Sequence, residues 1–164
     1  DLDLYLLNHN VHSVRSYGTT KKRKETDKWA GDRFFENRVN EAGGAFVDVT
    51  AATGIYSSPL GYGLAIAAAD LNGDGLTDIY IGNDFHENDY LYLNNGDKTF
   101  TEAIRQWADH TTQFSMGADI ADLNNDGYPD LFSTDMLPFD ESVYLKSGGE
   151  DTDQLKRIKA ELGF

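Results

Sequence analysis

The chain has 164 residues, enough for one domain with a sizeable core, and its 28 acidic against 14 basic residues give a formal net charge of −14. That excess argues against nucleic acid as a general partner, and no apolar run approaches the roughly 20 residues of a membrane-spanning helix. Without cysteine there is no disulfide framework, and the redox compartment stays open.

In chain order, Asp1-Leu2-Asp3 is the tail of an acidic motif that returns twice in full, and Leu4 to Asn8 reads as a strand. Arg15 to Lys28 holds six of the 14 basic residues, including Lys21-Lys22-Arg23-Lys24. A charge run of this kind is expected to be a solvated, flexible loop, so Val11 to Lys28 reads as a mobile insertion that folding does not need. A contact with anionic glycan or lipid headgroups is its functional alternative. Trp29 and Phe34-Phe35 are expected to begin the next strand, which runs to Asn37, rather than to form a binding platform, and Phe46-Val47-Asp48 forms another.

A short strand of small residues follows from Leu64 to Ala69, then the first full acidic loop, then the apolar run Ile79 to Gly82. The connection Asn83 to Asp89 gathers Asp84, His86, Glu87 and Asp89, which could form a second metal or ligand site. The preferred reading is a solvated polar turn whose Asn and Asp cap backbone groups. Tyr90 to Asn94 is a strand, Asn94-Asn95-Gly96-Asp97 a turn, and a closing strand surrounds Phe100. Glu102 to Asp109 is expected to be a short helix burying Ile104 and Trp107. The second acidic loop follows the strand Met116 to Ala121 and leads into Leu131-Phe132-Ser133. Ser147-Gly148-Gly149 reads as a linker to a helix capped at Asp151-Thr152-Asp153, with Leu155, Ile158 and Leu162 on one face and Gly163 at its end.

The two full loops are DLNGDGLTD, Asp70 to Asp78, and DLNNDGYPD, Asp122 to Asp130. Both place side-chain oxygens at positions 1, 3, 5 and 9: Asp70, Asn72, Asp74 and Asp78, then Asp122, Asn124, Asp126 and Asp130. Closely spaced oxygens in a tight loop are what a hard cation such as calcium takes as ligands. Leu76 and Tyr128 at position 7 would contribute backbone carbonyls, and Gly75 and Gly127 allow the sharp turn. Asp1 and Asp3 are a possible remnant of a third site. The spacing also opens an EF-hand, but that loop closes with an acidic residue at position 12 between helices. Here position 12 is Ile81 or Ser133, and strands flank the loop.

Internal repetition organises the rest. Asp3 to Asn8 matches Asp78 to Asn83, Asp32 to Asn37 matches Asp89 to Asn94, and the offset between the full loops is 52 residues. Four short strands per repeat of roughly 40–50 residues is the pattern of a β-propeller blade. The reading is all-β: an incomplete blade over 1–50, a complete blade over 61–102 and a partial blade over 114–140, with linker and helix over 141–164. Propellers close with at least four blades, so the chain is expected to be a piece of a longer one.

The pair ADLNGDGLTDIYIGND and ADLNNDGYPDLFSTD, with YLYLNNGDKTFTE between them, resembles the FG-GAP/VCBS repeat family, and most nearly the large bacterial surface proteins related to cartilage acidic protein. The resemblance covers about residues 1–140. It implies a calcium-binding, extracellular or cell-surface β-propeller, in the wider group of integrin α-like propellers, used for adhesion, ligand binding or scaffolding. The implied partners are a protein or glycan ligand and the remaining blades. The alternatives are a polysaccharide lyase-like propeller with catalytic residues on other blades, or a purely structural spacer. His9, His12, His86 and His110 lack zinc spacing, and no nucleophile, P-loop or dinucleotide motif is present, so an enzyme is not expected.

Overall fold

The computed structural model describes residues 2–10, 20–85, 87–136 and 143. Asp1, His12, His86, the first half of the expected mobile insertion (residues 11–19) and the expected C-terminal helix lie outside the described residues. Among the described residues, nine strands and two single-turn α-helices form in the order β1 (Leu4–Leu6), β2 (Arg33–Asn37), β3 (Phe46–Asp48), α1 (Thr50–Thr53), β4 (Gly63–Ala69), β5 (Asp78–Asn83), β6 (Tyr90–Asn94), β7 (Phe100–Glu102), α2 (Ile104–Trp107), β8 (Ser115–Ala121) and β9 (Asp130–Asp135). They pair as three antiparallel sheets, β1-β2-β3, β4-β5-β6-β7 and β8-β9, each strand beside its sequence neighbour. None of the three is closed. Their strands span residues 4–48, 63–102 and 115–135.

The middle sheet is covered on both faces, which explains why β5 is one continuous apolar run. Successive side chains of a strand point to opposite faces. Ile79 and Ile81 join Ile55, Tyr90 and Tyr92 in a core that Tyr5, Leu7 and Phe34 of the first repeat, Tyr56 of the connection and Phe100 of β7 complete. Tyr80 packs the other way, with Leu91, Ile104 and Ala118. All six residues of β5 are buried. Gly82 is required there, since a Cβ would lie 2.2 Å from Ser115 Oγ and 3.1 Å from the Ala65 Cβ. A side chain at 82 would push β8 off the middle sheet.

A polar staple recurs in the first two repeats. In the first, the Tyr5 hydroxyl and the Asn8 amide N–H donate to the two oxygens of Asp32 at 2.7 and 2.8 Å, and Asn8 Nδ2 donates to the Gly31 carbonyl. In the second, Tyr80 and the Asn83 amide donate to Asp89, both at 2.8 Å, and Asn83 Nδ2 donates to the Asn88 carbonyl. The chain between Asn8 and Asp32 is much longer than that between Asn83 and Asp89, yet the staple is the same. It fixes the β1–β2 and β5–β6 connections alike, whatever the loop length.

Four expectations are corrected. Residues 20–24 form a 3-10 helix rather than an open loop, and Arg23 is tied to Glu87 at 2.6 Å, so this part of the basic run is docked. The connection Asn83 to Asp89 is not solvated: Asn83, Asp84, Glu87, Asn88 and Asp89 are all buried, although the backbone capping expected of it is present. Trp29 sits in a turn ahead of β2 and is 82% exposed. Finally, α2 buries Ile104 but leaves Trp107 51% exposed, because a single helical turn offers the sheet one residue and its neighbours face water.

Candidate functional site: two acidic loops and a buried polar end

The acidic loops join β4 to β5 and β8 to β9, at the same end of two successive sheets. Their chemistry begins with an Asp that folds the chain around itself. Asp70 Oδ1 accepts from the amides of Gly73 and Asp74 at 2.8 and 3.1 Å, and Oδ2 accepts from Gly75 at 2.8 Å. Such a wrap requires left-handed backbone at positions 4 and 6. Gly73 and Gly75 supply it with φ of 78° and 85°, and Asn125 and Gly127 supply it in the second loop with φ of 60° and 87°. Asn is the residue besides glycine that adopts this conformation most readily, so the Gly-to-Asn difference at position 4 leaves the loop unchanged.

The remaining contacts repeat bond for bond. Asp74 Oδ1 accepts from the Leu76 amide at 2.8 Å, and Asp126 Oδ1 from the Tyr128 amide at 2.9 Å. Asn72 Nδ2 donates to Asp74 Oδ2, as Asn124 Nδ2 does to Asp126 Oδ2. Asp122 Oδ1 and Oδ2 accept from Asp126 and Gly127. Position 9 closes the ring, with Asp78 Oδ2 accepting from Leu71 and Asp130 Oδ2 from Leu123, both at 3.0 Å. Asp78 also ties the loop to the sheet, because its Oδ1 accepts from the Asn94 amide. Asp3 keeps that half of the role, accepting from the Asn37 amide at 2.9 Å while Asn37 Nδ2 reaches the Leu2 carbonyl.

Each loop thus gathers three carboxylates, one amide oxygen and the position-7 carbonyl, all hard oxygen donors. Among the described residues, no Lys, Arg or His forms an ion pair with any of these carboxylates. Nor is any group of three or more His, Cys, Asp or Glu side chains drawn into a ready metal cage there, since the oxygens face loop amides instead. The side chain of Tyr128 is 72% exposed, so only its backbone is available to the loop.

The opposite end of the sheets carries buried acids. Burial pushes Asp32 up to about 6 despite the donors Asn8 and Tyr5. It also raises Asp89, against the opposing pull of Thr112, Asn83 and Tyr80. Glu87, wholly buried, is raised by burial against the countering charge of Arg23. A cavity of about 410 Å³ opens beside Asp89, lined also by Tyr80, His110, Thr112, Ser133 and Asp135. It is a poor acid–base site, because both Asp89 oxygens already accept from Asn83, Tyr80 and the amide and hydroxyl of Thr112. The sequence reading singled out Glu87 and Asp89 and aligned the segments that hold Tyr5, Asn8 and Asp32 with those of Tyr80, Asn83 and Asp89, but it took the connection for a solvated turn and did not read the staple from that alignment.

Residues 70–133 match the protein-family model described as an FG-GAP-like repeat. The matched span begins at the first Asp of the first loop and ends within β9, so it takes in both loops and every strand between them.

Proposed function

We propose, from the premise that residues 70–133 are an FG-GAP-like repeat, that each acidic loop holds one calcium ion as a structural brace. The chain would then serve as part of an extracellular β-propeller whose work is binding or scaffolding. The observation that carries this reading is the duplication. Two loops 52 residues apart keep the same oxygen donors and most of the same loop hydrogen bonds while their non-ligand residues vary. Asp70, Asn72, Asp74 and Asp78 would hold one ion with the Leu76 carbonyl, and Asp122, Asn124, Asp126 and Asp130 the other with that of Tyr128. When bound, the ion supplies positive charge to three mutually repelling carboxylates. All donors of a site come from one continuous loop, which suits stiffening of the β4–β5 and β8–β9 links better than substrate chemistry, so no catalytic role is assigned.

Extracellular modules bind calcium with dissociation constants up to ~10⁻⁴–10⁻³ M. At ~1 mM free calcium and a constant ten- to a hundredfold lower, each site adds roughly 1.4 to 2.7 kcal/mol by mass action. Thermal melts of the metal-stripped chain should therefore rise on adding calcium and not on adding sodium. The rise should shrink in Asp74→Ala and disappear in Asp74→Ala/Asp126→Ala. Equal melting with and without calcium would defeat the reading.

A further inference from the structure

We infer that the turn at Trp29, together with the basic 3-10 helix before it, is a docking platform for an acidic glycan. Residues 20–29 carry five basic and two acidic side chains in a protein whose net charge is −14. Arg23 is turned inward to Glu87 and anchors the helix, while Lys21, Lys24 and Lys28 are exposed.

Trp29 is 82% exposed, and its backbone is fixed rather than loose. Asp27 Oδ1 accepts from the amides of Trp29 and Ala30 at 2.7 and 2.9 Å. The Asp27 amide donates to the Ser57 carbonyl at 2.8 Å, and Gly31 donates back to Asp27. Arg33 Nη2 donates to the Lys28 carbonyl at 2.7 Å. The turn is seated against the connection ahead of β4, since a Cβ on Gly31 would lie 2.1 Å from the Ser57 oxygen. Lys28 Nζ stands 4.9 Å from the centre of the Trp29 ring.

The result is a large aromatic side chain held out to water on an immobilised turn, with the Lys28 ammonium at its ring. Exposing an indole forgoes burial of a large apolar surface, and the Lys28 ammonium over one face leaves the ring 82% exposed. A rigid aromatic loses little entropy on contact, which is why such residues anchor binding surfaces. The apolar face of a pyranose ring stacks on an indole, and carboxylate or sulfate groups on the sugar meet the lysines. The surrounding negative charge limits contact to a short stretch of such a chain, so the platform fits a few acidic sugar units. The platform lies with the β1–β2 connection, at the end of the sheets away from the acidic loops, where Glu87 of the β5–β6 connection receives Arg23. The inference rests on the binding-module reading above but not on the cation sites.

The test uses the full chain in a Trp107→Phe background, so that tryptophan emission reports Trp29 alone. Polygalacturonate and heparin oligosaccharides serve as carboxylate and sulfate probes, and dextran oligosaccharides as the neutral control. One or both acidic probes should shift the emission and bind. Trp29→Ala should weaken that binding at least tenfold, Lys24→Ala/Lys28→Ala should flatten its salt dependence, and neither should change the melting temperature in calcium. Absence of binding to both acidic probes, or binding unaffected by Trp29→Ala, would overturn the inference. So would Trp29-dependent binding that is found only for polyglutamate, oligo-dT or phosphatidylserine vesicles, which would assign the platform to another partner. Loss of calcium stabilisation with glycan binding intact would count against the cation reading alone.

Discussion

Replacing Arg23 by Met keeps most of the side chain's aliphatic stem and removes the only cation bonded, among the described residues, to the wholly buried Glu87. The uncompensated carboxylate then has two courses, to stay charged in an apolar site or to take up a proton. Protonation sets the ceiling on the cost. With an ordinary value of 4.5 for glutamate, holding Glu87 neutral at pH 7 costs at most about 3.4 kcal/mol, at roughly 1.36 kcal/mol per unit. At pH 5 the same ceiling is about 0.7 kcal/mol. The folded protein already holds Glu87 above its ordinary value, so across that window the native state binds more protons than the unfolded one. Its contribution therefore falls as pH rises, and more steeply once Arg23 is gone. Urea unfolding at pH 5, 6 and 7 should show Arg23→Met less stable than the parent by up to about 3 kcal/mol at pH 7, with a smaller gap at pH 5. Arg23→Met/Glu87→Gln should recover most of the loss at pH 7. A gap that is the same at pH 5 and pH 7, or below ~0.5 kcal/mol at pH 7, would refute the idea that the basic segment is clamped through a desolvated ion pair.

Asp32 obeys the same sign. Its value is raised from 3.8 to about 6, which at roughly 1.36 kcal/mol per unit corresponds to about 3 kcal/mol of stability lost between about pH 4 and pH 6. Asp32→Asn should match the parent near pH 4 and exceed it by about 1–3 kcal/mol at pH 7, as judged by thermal melts across pH. Asp89→Ala removes the acceptor for Asn83, Tyr80 and both groups of Thr112. At about 1–3 kcal/mol for each buried donor left unpaired, cooperative unfolding should be lost or strongly weakened in calorimetry.

Local signals carried the strand order. Alternating and β-branched runs, the Asn-Gly turn and the 52-residue repeat are each contained within one element or one repeat, and the three sheets follow them. The acidic loops were legible for the same reason, since the hydrogen bonds within each loop run between residues at most seven apart. Long-range contacts were not legible. The partners Arg23 and Glu87 are 64 residues apart, and no pattern around Lys21 to Lys24 distinguishes a docked basic helix from a solvated one. Trp29 looked like the start of a strand because Phe34 and Phe35 follow closely. Its exposure is set by Asp27, which closes a turn three residues before β2 can begin. Trp107 misled in the opposite direction, because an i, i+3 pair means a buried face only in a helix long enough to present one.

Calcium binding to the metal-stripped chain, measured by titration calorimetry or with a chelator competitor, tests the central claim most directly. Two ions should bind to the parent, one each to Asp74→Ala and Asp126→Ala, and none to the double variant. Asp84→Ala, at a buried acid outside both loops, should still bind two. No calcium bound to the parent, or a stoichiometry unchanged in Asp74→Ala/Asp126→Ala, would contradict the account.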